Sequence, residues 1–126
     1  MPQSFLVTGG AGFVGSSLIG KLRKEHPTAR IVAFDNLRRR GSELNLQEFK
    51  TLGVEFVHGD LRVREDLFQI EGKFDVFLDA CAEPSVHAGQ TGTPDYVLQT
   101  NLFSTLNVLE FVRARSKLLI FLSTSR

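Results

Sequence analysis

The sequence predicts an α/β fold in which about five parallel strands form a doubly wound sheet, ordered 3-2-1-4-5, with helices on both faces. Three observations support this prediction. Short apolar runs with the length of buried strands alternate with helical patterns along the chain. A glycine-rich segment joins the first run to the first helix. The last run, Leu118–Leu122, is continuously apolar, as expected of a parallel strand buried on both faces.

Length and composition limit the possible classes of protein. The chain has 126 residues, which suits one domain, and 42% of them are hydrophobic. A net charge of +1 favours neither nucleic acid nor an anionic membrane as a partner. The single cysteine, Cys81, excludes an internal disulfide, and His26, His58 and His87 lack metal-like spacing. No stretch resembles a signal peptide or a membrane span, so we expect a cytoplasmic protein.

The glycine-rich segment follows the first predicted strand, Phe5–Val7. Gly10, Gly12 and Gly15 fit the spacing G-x-G-x-x-G, and Gly9 with the last two fits T-G-x-x-G-x-x-G. Glycines at these spacings permit a tight turn, let a diphosphate approach the backbone and let the helix pack closely on the sheet. The following helix would direct its free N–H groups at that diphosphate. A turn built for packing alone is the alternative.

The second predicted strand strengthens the dinucleotide interpretation. A helix over residues 13–24 ends before Pro27, and a strand over Arg30–Phe34 follows it. Asp35 ends this strand, 20 residues after Gly15. Dinucleotide folds place there a carboxylate that accepts hydrogen bonds from the adenosine ribose.

Three arginines, Arg38–Arg40, lie shortly after Asp35. They fit either a solvated loop or an anion site for the 2′-phosphate of NADP. Because the charge of Asp35 would repel that phosphate, the predicted cofactor is NAD.

Asp60 follows the third predicted strand, Val54–Val57, which comes after a short helix from Ser42 to Leu52. Two roles for Asp60 remain open. The side chain would either cap a helix over Val63–Ile70 or accept a hydrogen bond from the adenine amino group.

The fourth predicted strand, Phe74–Leu78, ends in small residues. Ala80, Cys81 and Ala82 would let the nicotinamide ribose and diphosphate approach closely, although ordinary loop packing also explains them. Glu83 and His87 would then face a substrate.

A long helix should begin with Thr93 as N-cap and Pro94 at its first position. It is apolar on more than one side and therefore needs a second partner, either the rest of the protein or another subunit. Asn101 lies beside its main apolar stripe, and its residue type alone suggests a hydrogen bond to a loop carbonyl. That stripe consists of Leu98, Leu102, Leu106 (or Thr105), Leu109 and Val112, and the apolar residues off it are Val97, Phe103, Val108 and Phe111. The hydroxyl cluster Ser123–Ser125 follows the last strand, at the edge where such sheets hold ligands. That strand requires covering elements, so we expect a longer protein, and in this chain alone the strand should be an exposed apolar edge of the sheet.

With these residues identified, the whole chain resembles the N-terminal half of the extended short-chain dehydrogenase/reductases, the sugar-nucleotide epimerase and dehydratase group with a Rossmann-type fold. Asp79 and Ser104 depart from the family's usual histidine and glycine. The closer likeness is to CDP-sugar epimerases, which implies a CDP-sugar substrate. The similar segments are TGGAGFVG from Thr8, DNL from Asp35, GDL from Gly59, ACAEPSV from Ala80, TNLFSTLN from Thr100 and STS from Ser123.

The resemblance implies catalytic roles for Thr124 and Asn101 and a homodimer formed through the helix over residues 94–115. The family's Y-x-x-x-K pair is absent, since the single tyrosine, Tyr96, lies early in that helix. The chain alone should therefore bind NAD without turnover. A noncatalytic NAD(P)-binding sensor or scaffold is the alternative, as is a dehydratase or reductase of the same group. The implied cofactor-binding residues are Gly9, Gly12, Phe13, Val14, Gly15, Asp35, Asn36, Asp60, Leu61, Ala80, Cys81 and Ala82.

Overall fold

A computed structural model describes residues 2–81 and 99–122 of the chain. Within these ranges, five strands form one parallel sheet in the order β3-β2-β1-β4-β5, which confirms the predicted topology. Each observed strand lies within two residues of its predicted bounds. The strands are β1 (Ser4–Thr8), β2 (Arg30–Asp35), β3 (Glu55–His58), β4 (Phe74–Asp79) and β5 (Ser116–Phe121).

The helices connect these strands in the predicted sequence. The segment predicted as one helix from Ser42 is a 3-10 turn followed by an α-helix, and Gly53 ends it with a left-handed φ of 67°. The predicted helix start at Thr93 and Pro94 lies outside the described residues. The helices are α1 (Phe13–Glu25), α2 (Leu46–Leu52), α3 (Arg64–Phe68) and α4 (Ser104–Arg115), with a 3-10 turn at Ser42–Asn45 and a π-helical turn at Gln99–Phe103.

Helices pack on both faces of the sheet because successive strand residues point to opposite sides. On one face, Ile19 of α1 and Phe49 of α2 pack in the same core cluster as Val7 of β1. On the other, Leu67 of α3 and Phe111 of α4 pack with strand residues of a second cluster. In the described part of the chain the helices thus cover the two faces of the sheet, and the carboxyl ends of its parallel strands share one edge.

The face of α4 that covers the sheet carries Val108 and Phe111, both fully buried. The Phe111 ring contacts the ring of Phe77 on β4, with centroids 5.7 Å apart. By contrast, Leu106 and Leu109, which belong to the predicted main stripe, are about half exposed. The helix is therefore apolar on two sides, as predicted, and the sheet covers the side that carries Val108 and Phe111.

Strand β5 is an exposed apolar edge of the sheet, as predicted for this chain, although its sequence is typical of a strand buried on both faces. Leu118, Ile120 and Phe121 are between 42% and 51% exposed. Among the described strands β5 pairs with β4 alone, so it forms an edge of the sheet. A strand at an edge loses cover on its outer side, and its apolar sequence then remains in contact with water.

Candidate functional site

The carboxyl ends of β1, β2 and β4 bring the predicted site residues to one edge of the sheet. Thr8 at the end of β1 is in register with Phe34 of β2 and with Asp79 of β4. Asp35 is in register with His58 at the end of β3. Because all these strands are parallel, the loops after them meet above the same edge, where open α/β sheets bind ligands.

The glycine loop is folded against itself and against the end of β4. Gly9 has a left-handed φ of 66°, and a Cβ added there would lie 2.7 Å from the carbonyl oxygen of Ala80. A Cβ added at Gly15 would lie 2.1 Å from the carbonyl oxygen of Gly9. Helix α1 begins directly after Gly12, with Phe13 80% exposed. The first N–H groups of α1 thus lie at a bare stretch of backbone.

Asp35 links this loop to the end of β2. Its carboxylate is only 9% exposed. The Oδ2 atom accepts a hydrogen bond from the Ala11 N–H (3.0 Å), and the Oδ1 atom accepts one from the Leu37 N–H (2.8 Å). The predicted ribose carboxylate therefore lies directly beside the predicted diphosphate loop, in one orientation set by two backbone donors.

A cavity of about 480 Å³ opens beside this loop, on the side of β3. His58 contributes to its wall, with Nε2 lying 3.1 Å from the carbonyl oxygen of Asn36. The cavity is polar and carries both signs of charge. Its lining residues are Asn36, Arg38, His58, Gly59, Asp60, Arg62, Asp66 and Gln69.

Asp60 is held in the cavity wall by Arg62. The Arg62 guanidinium donates to both carboxylate oxygens, with Nη2 at 2.6 Å from Oδ2, and the Arg62 N–H donates to Oδ1. The hydrogen bonds from Arg62 hold the pKa of Asp60 below its ordinary value, although partial burial opposes this effect. Among the described residues no side chain caps α3, and the Asp60 carboxylate bonds Arg62 in place of the helix N-terminus.

Asp79 is a buried carboxyl group at the end of β4. It is 3% exposed, and its Oδ1 accepts hydrogen bonds from the Thr8 hydroxyl (2.8 Å) and the Cys81 N–H (3.1 Å). Burial raises the pKa of Asp79 and outweighs these two hydrogen bonds, which lower it. Burial, together with the nearby charge of Asp79, also raises the pKa of the Cys81 thiol to about 12. Ala80 lies between them, with its carbonyl against Gly9.

Other predicted site residues are placed less directly. Leu61 is 3% exposed, and its side chain packs in the core. Its main-chain carbonyl accepts a hydrogen bond from Asn107 Nδ2 (2.6 Å). Val14 is half exposed on the first turn of α1. Asn101 is exposed on the π-helical turn, and its carbonyl accepts a hydrogen bond from the Thr105 hydroxyl. Ala82, Glu83, His87 and Thr124 lie outside the described residues.

Two contributors to this edge were not singled out from the sequence. Asn45 reaches the glycine loop, and its Nδ2 donates to the carbonyl oxygen of Ala11 (2.6 Å). Arg62 orients Asp60. The position of Arg62 two residues after Asp60 was the available signal, because opposite charges so close along a loop can meet. Nothing in the local sequence connects Asn45 to a residue 34 positions earlier.

No helix in the described part of the chain is long and apolar enough to cross a membrane. Across residues 2–81 and 99–122, no group of three or more His, Cys, Asp or Glu side chains is arranged to hold a metal ion.

Comparison with known proteins places this geometry in a family. The family model described as "NAD dependent epimerase/dehydratase family" matches residues 5–126. The chain is 35% identical over 115 residues to CDP-paratose 2-epimerase of Salmonella typhi, covering 88% of the chain and 33% of that protein. It is 31% identical over 119 residues to dTDP-glucose 4,6-dehydratase of Mycobacterium tuberculosis, covering 94% of the chain and 35% of that protein. The chain therefore spans about a third of the length of these relatives.

Solved structures of similar proteins share the fold. ADP-L-glycero-D-manno-heptose-6-epimerase of Helicobacter pylori aligns with a TM-score of 0.82 and 32% identity, over 98% of this chain and 39% of that one. The dTDP-glucose 4,6-dehydratase of Bacillus anthracis, solved in complex with NAD, aligns with a TM-score of 0.79 and 28% identity, over 97% of this chain and 37% of that one. The predicted cofactor, NAD, agrees with the family's description. The match over nearly the whole chain shows that this protein belongs to the NAD dependent epimerase/dehydratase family.

Proposed function

We propose that this chain is the NAD-binding part of a cytoplasmic enzyme that epimerises a nucleotide sugar. The observation that carries the proposal is the contact between Asp35 and the glycine loop: Oδ2 lies 3.0 Å from the Ala11 nitrogen. This contact puts the Asp35 carboxylate beside a bare helix N-terminus, which supports the proposal because a dinucleotide needs a ribose acceptor next to its diphosphate site.

The residues present fit NAD in two further respects. The loop has room for no side chain at Gly9 or Gly15, because a Cβ there would lie within 2.7 Å and 2.1 Å of backbone oxygens. These close contacts fix the turn between β1 and α1, so that the first N–H groups of α1 would be available to a diphosphate. The cavity containing Asp60 lies on the β3 side of Asp35, where the adenine would reach a carboxylate acceptor.

Each residue then has a binding role. The N–H groups of Phe13 and Val14 would hold the diphosphate, and Asp35 would hold the adenosine ribose. Asn36, Asp60 and the Leu61 main chain would contact the adenine end. When bound, NAD supplies an acceptor for a hydride from a sugar carbon and a donor that returns it. Thr124 and Asn101 would hydrogen-bond the reacting sugar oxygen, while the general base comes from a part of the protein beyond this chain.

Cofactor binding is tested by titrating the protein with NAD and NADP in a calorimeter. The unaltered protein should bind NAD more tightly than NADP, because the charge of Asp35 repels a 2′-phosphate. Asp35→Ala should weaken NAD binding and abolish the preference. Glu48→Ala, which removes an exposed carboxylate on α2, is the matched control and should leave both affinities unchanged. A folded protein that binds neither nucleotide would contradict the proposal.

The reaction class is tested with the full-length protein and a panel of nucleotide sugars, beginning with a CDP-sugar because a CDP-paratose 2-epimerase is among the relatives. An epimerase forms a product of unchanged mass without accumulating reduced cofactor. A dehydratase, as in the M. tuberculosis relative, would form a product lighter by one water. A reductase would consume reduced cofactor in proportion to product. Binding of NAD with none of these products would favour the sensor or scaffold alternative.

Homodimer formation through the helix over residues 94–115 is part of the proposal. Leu102, Leu106 and Leu109 are each about half exposed along that helix, and apolar stripes of this kind favour association. Sedimentation of the full-length protein should give twice the monomer mass. Leu106→Lys should shift the protein towards monomer.

A further inference from the structure

Both main-chain polar groups of Ala11 are held by side chains at the two ends of the connection between β2 and α2, Asp35 at the end of β2 and Asn45 directly before α2. The Ala11 N–H donates to Asp35 Oδ2 (3.0 Å), and the Ala11 carbonyl accepts from Asn45 Nδ2 (2.6 Å). Ala11 is itself fully buried, between Gly10 and Gly12 of the glycine loop. The centre of the loop is therefore fastened to the rest of the protein at two points.

The position of Asn45 follows from the helix after it. Asn45 ends the 3-10 turn and lies four residues before Phe49, so the two side chains project from the same side of the chain. Phe49 is 2% exposed and packs in the same core cluster as Ala11. Burial of Phe49 thus directs the Asn45 amide at the glycine loop.

We propose that Asn45 is a positioning residue for dinucleotide binding. It fixes the main chain of Ala11, so that the loop N–H groups keep the orientation that the diphosphate needs, while Asp35 stays held by the Leu37 N–H as well. This inference rests on the proposed NAD site. Asn45 itself contacts the loop and acts on the cofactor through Ala11.

The same contact constrains the arginine segment. The chain from Asp35 to Asn45 leaves the glycine loop at the Asp35 carboxylate and returns to it at the Asn45 amide. Arg38–Arg40 lie between these two attachment points. Loss of the Asn45 contact would release one end of this segment together with the loop.

The test compares Asn45→Ala and Asn45→Asp with the unaltered full-length protein. Asn45→Asp keeps the size of the side chain but sets a carboxylate oxygen against the Ala11 carbonyl, where no hydrogen bond forms. Gln47→Ala removes an exposed amide from α2 and is the matched control. Each protein is titrated with NAD and with AMP, and its thermal midpoint is measured.

We expect the dissociation constant for NAD to rise about tenfold in both Asn45 variants, since one hydrogen bond that orders the loop is lost. AMP keeps the adenosine contacts but lacks the diphosphate, so its affinity should change much less. The Gln47→Ala protein should bind both nucleotides normally. A larger loss of affinity for NAD than for AMP is a result that destabilisation of the whole fold would not produce.

Unchanged NAD binding in Asn45→Ala, beside normal binding by the unaltered protein, would overturn this inference and leave the proposed function intact. Equal losses for NAD and AMP that follow the fall in thermal midpoint would also overturn it, because Asn45 would then be structural only. If the unaltered folded protein binds no NAD, the proposed function fails and the inference fails with it.

Discussion

The hydroxyl of Thr8 donates a hydrogen bond to the carboxylate of Asp79 across 2.8 Å, and the two side chains are 0% and 3% exposed. The pair joins the carboxyl ends of β1 and β4 beneath the glycine loop. A carboxyl group buried in this way is expensive to ionise, and the hydroxyl and the Cys81 N–H offset only part of that cost. Protonation of Asp79 should therefore be coupled to folding.

The first prediction concerns the pH dependence of stability. Burial raises the pKa of Asp79 in the folded state above the value of 3.8 expected when unfolded. As the pH rises from 3.8 through the folded pKa, the unfolded state releases this proton first, so the free energy of unfolding falls. Asp79→Asn retains the oxygen acceptor and does not titrate. The free energy of unfolding of this variant minus that of the unaltered protein, both measured in urea, should therefore increase as the pH rises through that window. A difference that is constant with pH would contradict this assignment.

The second prediction concerns Cys81, the single cysteine of the chain. Its pKa of about 12 leaves almost no thiolate near neutral pH, and thiolate is the reactive form. Iodoacetamide at about pH 8 should therefore label the folded protein much more slowly than the protein unfolded in urea. The labelling rate of the folded protein should keep rising beyond pH 9, the ordinary pKa of a thiol. A plateau near pH 9 would show that burial does not control this group.

The third prediction separates two glycines of helix α1. Gly15→Ala places a Cβ 2.1 Å from the Gly9 carbonyl oxygen, so the loop must shift. We expect a loss of about 1–3 kcal/mol in the free energy of unfolding, together with loss of NAD binding. Gly20→Ala is the control, because a Cβ there meets nothing within 4 Å and alanine favours the helix by about 1 kcal/mol. Equal effects of the two changes on NAD binding would refute the close approach at Gly15.

The fourth prediction concerns Arg23 near the end of α1. Its guanidinium donates to several main-chain carbonyls in two separate turns, including those of Ala29 (2.8 Å) and Leu52 (2.8 Å). Arg23→Met should lower the free energy of unfolding by about 1–3 kcal/mol, because these partly buried acceptors lose a charged donor. Lys24→Met removes a neighbouring exposed cation and should change stability by less than about 0.5 kcal/mol. Urea unfolding of both variants measures the difference. Equal losses in the free energy of unfolding would show that the positive charge, and not the hydrogen bonds of Arg23, stabilises the protein.

Local spacing was sufficient to predict the β1 to β2 unit. The glycine spacing and the acid at Asp35 lie within one strand, helix and strand, so their relative positions follow from the geometry of those elements. The role of Asp60 could not be chosen in the same way. Its partner is Arg62 and no side chain in the described part of the chain caps α3, an outcome that depends on how the loop folds rather than on residue type.

The faces of α4 show the same limit. Periodicity predicted two apolar sides, since it reflects only where apolar residues recur along the helix. Burial of Val108 and Phe111 in preference to Leu106 and Leu109 was decided by rings such as Phe77, which come from distant parts of the chain. The burial of β5 likewise depends on which elements flank it and not on its own apolar sequence.

The sequence by itself therefore determined the order of the elements, the dinucleotide loop and the acid of β2, because each depends on residues close along the chain. It also indicated the parallel sheet, because strands that alternate with helices form parallel pairs. Only the tertiary structure decided that Thr8 meets Asp79 and that Asn45 holds Ala11. These contacts join residues 71 and 34 positions apart. Strand register and helix packing bring them together, and neither leaves a mark in the local pattern of residues.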